Sequence, residues 1–181
     1  MKALIPICDG SESLETVAIV NILRRAEITV TMASITGSAI VEGTRAITLV
    51  AEALFDDVQN QDFDLITIPG GDLGTQTMAQ HPPLIDKLRQ QRLRHQWYGG
   101  ICAAPARVLS AHGLLDGKQA TCYPTFRDDV LHYVDQPVVV DGHCITGQGP
   151  AAVIAYGLAL VRALCGEQAA QAVAEQMVVR G

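Results

Sequence analysis

One cysteine sits where its chemistry is easiest to use. In the stretch Tyr98-Gly99-Gly100-Ile101-Cys102-Ala103-Ala104-Pro105-Ala106, a short run passes through two glycines and reaches Cys102. Small residues follow at once, and then an apolar run from Val108 to Leu115. The pattern predicts a strand ending at Cys102 and a helix starting at Ala103. A sharp strand-to-helix turn of this kind pushes one side chain out over the end of a sheet, as a nucleophile elbow does. Pro105 falls in the first helical turn, where a missing N–H costs nothing. A thiol at a helix N-terminus faces unpaired N–H groups and the positive end of the helix dipole, so Cys102 is expected to be more acidic than a free cysteine. The plain alternative is a small hydrophobe in a core strand, which is what most lone cysteines are.

A reacting thiolate needs donors for an oxyanion. Gly70-Gly71 follows another apolar run and can turn backbone N–H groups inward, because glycine permits a positive φ. The Ala103 N–H is a second candidate, and two such donors form an oxyanion hole. Glu15 is the candidate acid. It lies in the first turn of a predicted helix, where a carboxylate otherwise simply favours the helix dipole. If it points at Cys102 instead, two acidic groups share one site and one of them keeps the proton. His81, His95, His112, His132 and His143 show no paired metal spacing and read as surface or turn residues. Cys8, Cys122, Cys144 and Cys165 read as core residues, with Cys122 also a conceivable resolving thiol. No C-x-x-C is present, which disfavours a zinc site or a disulfide framework.

These residues need elements to hold them. Lys2 to Cys8 and Ile28 to Ser34 read as strands around a helix that begins near Leu14. Ser11 and Ser13 are its candidate caps. Leu14, Val17, Ala18, Ile22 and Ala26 follow a helical period. Gly37 to Glu42 reads as a connection, Ala46 to Ala51 as a strand, and Asp56 to Val58 as a helical turn. Asp64 to Ile68 is a strand leading into Gly70-Gly71, then comes a polar segment from Asp72 to Gln80. Pro82-Pro83 opens a helix through Arg94. After the elbow helix, which Gly113 ends, Lys118 to Cys122 reads as a short strand and Phe126 to Leu131 as helical. Val138 to Thr146 is a hairpin around Asp141-Gly142. Ala151 to Leu164 and Glu167 to Val178 are helices separated by Gly166. Apolar strands alternating with helices predict an α/β three-layer sandwich with a mostly parallel sheet. Sites in such sheets lie beyond the carboxyl ends of the strands, where Asp9-Gly10, Gly70-Gly71 and Cys102 all fall.

Composition narrows the partners. The 181 residues suit one domain, 1–181, and 49% of them are apolar, which excludes a disordered chain. The net charge of −6 and the absence of a Lys/Arg block argue against nucleic acid or an anionic membrane. The start of the chain reads as a strand rather than a signal peptide, and Ala151 to Val161 is about half a membrane span. Scattered cysteines fit a reducing cytoplasm.

The residues also resemble a known family. Glu15-Thr16 after the first strand, Leu23-Arg24-Arg25-Ala26, Ile68-Pro69-Gly70-Gly71, Ile101-Cys102-Ala103-Ala104-Pro105, Tyr123-Pro124 and Gly149-Pro150 together resemble the ThiJ/PfpI superfamily, in the branch of the Parkinson-linked protein deglycase and YajL. The resemblance spans essentially the whole chain. It implies a flavodoxin-like fold and a Cys102 nucleophile or redox centre bonded to a protonated Glu15. It also implies backbone donors at Gly71 and Ala103; no nucleotide or metal motif appears in the residues, so no cofactor or metal is expected. It further implies a homodimer with the site near the interface, where Arg25, Arg45, Gly149 and Pro150 match family positions. The implied function is a glyoxalase or protein deglycase acting on methylglyoxal-type α-dicarbonyls and glycated proteins. The alternative is a redox-responsive chaperone whose Cys102 becomes a sulfinate. Two positions depart from wider family patterns. Proteolytic members carry a histidine directly after the nucleophile, where this chain has Ala103, so peptide hydrolysis lacks its base. Many members also carry a histidine where Tyr123 stands, though YajL-like members lack it too.

Overall fold

The structure is a computed structural model that describes residues 1–180. Five parallel strands form the heart of it. They are β1 (Lys2–Ile7), β2 (Thr29–Ser34), and, later in the chain, the strands numbered β6, β7 and β9 below. The order across the seven-stranded sheet is β5-β2-β1-β6-β7-β9-β8, with β5 (Ala53–Leu54), β6 (Leu65–Ile68), β7 (Trp97–Ile101), β8 (Val138–Asp141) and β9 (Cys144–Gly147). Within this sheet, among the described residues, only β8 runs antiparallel to its neighbour, as the Asp141-Gly142 turn requires. The short runs of β1 and β6 are buried on both faces, which explains why they are continuous apolar stretches rather than alternating ones.

Helices cover both faces. On one side lie α1 (Ser13–Arg25), α5 (Val153–Cys165) and α6 (Glu167–Gln176), whose Ile19, Ile22, Leu160 and Val173 pack with Ile5 and Ile145. On the other lie α2 (Phe55–Val58), α3 (Asp72–Ala79), α4 (Pro82–Leu93) and the helix after the elbow, with Phe55, Met78, Leu88 and Val108 against Leu4 and Ile66. The predicted three-layer α/β sandwich is therefore what forms. The chain leaves β1 toward β2 on one side and returns to β6 on the other, so a topological switch point falls between β1 and β6.

Several local expectations are corrected. The polar segment after Gly71 is a helix, α3. It was hidden because its inward face is Gly74, Thr75 and Met78 rather than an apolar stripe. Part of the Gly37–Glu42 connection is a strand, β3 (Ile40–Glu42), paired with β4 (Thr48–Val50) as a separate hairpin. The cap of α1 is Glu12, whose carboxylate accepts the Leu14 N–H at 3.3 Å. Ser11 instead accepts the Cys8 N–H, and Ser13 donates to the Thr44 carbonyl. Leu14 and Val17 face outward, while Glu15 and Thr16 are buried. Lys118 to Cys122 forms no named strand, only a bridge from Ala120 to Tyr133. Side chains hold it: the Gln119 N–H donates to Asp141 and the Thr121 N–H to Thr146. Cys165 is exposed rather than in the core, because it is the last residue of α5 before Gly166 turns the chain. Cys8, Cys122 and Cys144 are buried as expected.

A buried hydroxyl pair links the sheet to its outer layer. Thr67 on β6 and Tyr156 on α5 share a hydrogen bond of 2.7 Å, and both are fully buried. Removing the Tyr156 hydroxyl leaves Thr67 without that partner. Tyr156→Phe is expected to lower stability by about 1 to 3 kcal/mol, read from the urea midpoint at unchanged m-value.

Candidate active site

The chain passes through Cys102 in the left-handed region, at φ 63°. A non-glycine residue rarely adopts this conformation, and it persists only when its surroundings fix it. The fixing bonds are visible. The Cys102 N–H donates to the Gly147 carbonyl at 2.9 Å, and its carbonyl accepts the Tyr123 N–H at 2.8 Å. The following segment is helical as predicted, but Pro105–Leu109 is wound as a π-helix and Ser110–His112 as a 3₁₀ turn. Irregular winding of this type is frequent at functional sites.

Three strand ends converge here. Glu15 comes from the first turn of α1, just past β1. Gly70 and Gly71 follow β6, and Cys102 follows β7. Gly70 is the hinge of the cluster. A Cβ placed on it would lie 2.5 Å from Cys102 Cβ, 2.6 Å from Glu15 Oε2 and 3.0 Å from Cys102 Sγ. The missing side chain is the space in which thiol and carboxyl meet. The Gly70 N–H also donates to Glu15 Oε2 at 2.7 Å. Gly71, at φ 91°, turns its own N–H toward the Cys102 sulfur, and the Ala103 N–H does the same. The structure thus brings Cys102, Glu15, Gly71 and Ala103 together. Of the Gly70-Gly71 pair, Gly71 faces the sulfur, while the Gly70 N–H serves Glu15.

The electrostatics correct one expectation. Glu15 is wholly buried, and burial raises its carboxyl from 4.5 to about 7. The Gly70 N–H opposes the rise, the charge of Glu12 adds to it, and the contact with Cys102 opposes it. The Cys102 thiol, expected to be acidic, is pushed up to about 12. Burial is the largest cause and the Glu15 charge the next, and they outweigh the Gly71 and Ala103 N–H groups. Helix-end donors do not make this thiol acidic while a carboxylate stands beside it. The two groups form a dyad with both protons in place below about pH 7 and only the thiol proton above it.

Other predicted residues make no recorded contact with the sulfur. Arg25 is exposed at the end of α1 and donates to Asn21 at 2.9 Å. Arg45 is exposed at φ 61° beyond β3, in a cleft with Asp9, Gly10 and Leu73. Gly149 and Pro150 lie just past β9, where they line a groove with Tyr123. His81 caps α4 by accepting the Leu84 N–H, and His112 bonds the Ala79 carbonyl. His95 and His143 sit beside Trp97, near the start of β7 rather than at Cys102. Among the described residues, no group of three or more metal-ligating side chains is present.

The sequence profile of the DJ-1/PfpI family matches residues 1–163. The chain belongs to this family. Protein DJ-1 homolog A of Arabidopsis thaliana is 42% identical over 93% of this chain and 44% of its own length. The chain spans less than half the length of the curated Arabidopsis relatives it matches. A Caenorhabditis elegans family member named glutathione-independent glyoxalase is 30% identical over 88% of this chain and 86% of its own. The structure of oxidized Toxoplasma gondii DJ-1 superposes with a TM-score of 0.96 at 34% identity, covering 98% of this chain and 97% of that one. The seven-stranded sheet with helices on both faces is thus the DJ-1 fold. Among the described residues, no helix is long and apolar enough to cross a membrane.

The buried carboxyl makes stability depend on pH. The folded value of Glu15 lies above the unfolded one, so the folded state holds the proton more tightly. Its contribution is fully present below pH 4.5 and is lost as pH rises to about 7. At about 1.4 kcal/mol per unit, ionisation costs on the order of 3 kcal/mol. His81, lowered mainly by burial, contributes a slope of opposite sign, so the difference between two proteins is the useful reading. Glu15→Gln is expected to gain stability relative to wild type across this window and to stay level above it, as measured by urea unfolding at stepped pH.

Proposed function

We propose that the chain is a cysteine-dependent glyoxalase and protein deglycase acting on methylglyoxal-type α-dicarbonyls and their early protein adducts, in oxidative and carbonyl stress. The observation that carries this reading is the pairing of Cys102 with buried Glu15 across Gly70, with the Gly71 and Ala103 N–H groups on the sulfur. The name of the Caenorhabditis elegans relative supports the same chemistry. The reading places the protein in the cytoplasm as a homodimer, with Arg25, Arg45, Gly149 and Pro150 near the interface, and with no cofactor.

The dyad supplies the proton traffic. Ionised Glu15 takes the thiol proton as Cys102 sulfur bonds to the aldehyde carbon, and the carbonyl electrons move onto oxygen. The Gly71 and Ala103 N–H groups hold that oxygen, and Glu15 returns the proton to it. Glu15 then removes the former aldehyde carbon's hydrogen as a proton, giving an enediol, and delivers it to the neighbouring carbon, while the proton on the first oxygen passes to the second and the first becomes the thioester carbonyl. The result is a thioester of a 2-hydroxy acid. Water cleaves the C–S bond, releasing lactate or glycolate and restoring the thiol. The net change is addition of one water, with no oxidant or reductant. Peptide hydrolysis is not part of the reading, because Ala103 stands where a neighbouring histidine would be needed.

The test is methylglyoxal consumption by wild type, Cys102→Ser and Glu15→Gln. Both variants are expected to lose at least roughly 100-fold in kcat/KM. Equal rates in all three would end the reading. In wild type, kcat/KM is expected to rise with pH through about 7 and then level off, as Glu15 loses its proton.

A second reading has its own observation. Glu15 Oε1 is buried without a hydrogen-bond partner, beside a sulfur that already faces two N–H groups. Two peroxide molecules would convert the thiol to a sulfinic acid and leave two waters. The protonated carboxyl could then bond a sulfinate oxygen, as a redox-responsive chaperone would require. Mild peroxide is expected to add two oxygens at Cys102, read by peptide mass. Oxidation confined to exposed Cys165 would sink this reading.

A further inference from the structure

Helix α3 begins at Asp72, the residue directly after the Gly71 donor, and two side chains of the elbow helix lace it down. Arg107 donates through Nε to Asp72 Oδ1 at 3.1 Å, at the first residue of α3. His112 bonds the Ala79 carbonyl at 2.9 Å, at the last. The first turn of α3 forms one unit with Gly71. Buried Thr75 Oγ1 donates to the Gly71 carbonyl at 2.9 Å and lies 3.0 Å from that of Asp72. Arg107 reaches toward the other donor as well, since its own N–H donates to the Ala103 carbonyl at 2.9 Å. Its guanidinium lies over the Phe126 ring, 4.5 Å from the ring centre, so a second contact restricts the side chain that grips Asp72.

We propose that Arg107 is a positioning residue: by gripping Asp72 it fixes the spacing between the Gly71 and Ala103 N–H groups, the two donors that face the Cys102 sulfur. The inference rests on the active-site reading and assigns a residue outside the dyad and its donors. The two donors leave different strands. Pairing between β6 and β7 stops at Ile68 and Gly100, and beyond it the two turns run into separate helices. A bond between those helices, one residue past Gly71, restores a fixed spacing. Oxyanion donors act only when held about 2.7 to 3.1 Å from the developing charge. A misplacement of about 1 Å costs on the order of 100-fold in rate. The Arg107–Asp72 pair is half-exposed, so it adds little to stability, and its contribution is to geometry. The His112 bond lies at the far end of α3 and does not bear on the donors, which makes it the natural control.

Arg107→Met keeps the apolar stem against Phe126 and removes the bond to Asp72. It is expected to lower kcat for methylglyoxal by roughly 3- to 10-fold with KM within about twofold, the mark of an interaction used in the transition state. Its melting temperature is expected to move by no more than about 4 °C. In an Asp72→Ala background, Arg107→Met is expected to have no further effect on kcat, since its partner is already gone. A second readout needs no turnover. Alkylation of Cys102 by iodoacetamide, followed by peptide mass, is expected to be at least roughly threefold slower in Arg107→Met, because a displaced Gly71 N–H steadies the thiolate less. His112→Ala is expected to leave both readouts at the wild-type level. An unchanged kcat or an unchanged alkylation rate in Arg107→Met overturns the inference. So does a loss of equal size in His112→Ala, or one that persists undiminished in the Asp72→Ala background. If wild type does not consume methylglyoxal, the glyoxalase reading falls by itself, and the alkylation rates alone decide the role of Arg107.

Discussion

A carboxyl group buried away from the surface, next to a thiol, is the constraint on which this site depends. Glu15 has one short partner for its charge, the Gly70 N–H at 2.7 Å. One N–H does not replace a hydration shell, so the carboxyl holds its proton to about pH 7. Everything nearby follows from keeping that group and Cys102 in the same small volume. Gly70 must lack a side chain, Gly71 must turn its N–H at positive φ, and β1, β6 and β7 must end at one level.

The sheet makes this arrangement cheap in conformational terms. Neighbouring parallel strands deliver their carboxyl ends to one edge without any long loop. The switch point between β1 and β6 opens the crevice that Glu15 enters. The same register sets the groove, because β9 neighbours β7 and its end continues into Gly149-Pro150. The turn that carries the sulfur and the loop at Gly149-Pro150 therefore leave neighbouring strand ends.

The fold was largely legible because its strands are fully buried apolar runs and its helices are bounded by Gly and Pro. What escaped were elements whose packing does not use an apolar stripe. Helix α3 buries Gly74 and Thr75, so its period is invisible to hydrophobicity. On α1, Leu14 and Val17 look like core positions and are not, while Glu15 looks like a surface dipole partner and is buried. The site residues could be named from their types and from family resemblance. The titration of Cys102 could not be read from one helix end, because it depends on a charge supplied by a residue 87 positions away in the chain.

The left-handed conformation at Cys102 carries one more implication. Glycine adopts that φ without strain, and cysteine does not. The architecture by itself therefore gives no reason to keep a sulfur at the elbow. A copy of this chain that drifted to glycine there would fold at least as readily, but silently. Backbone strain at this one position thus separates what the fold asks of the elbow from what a sulfur would add there.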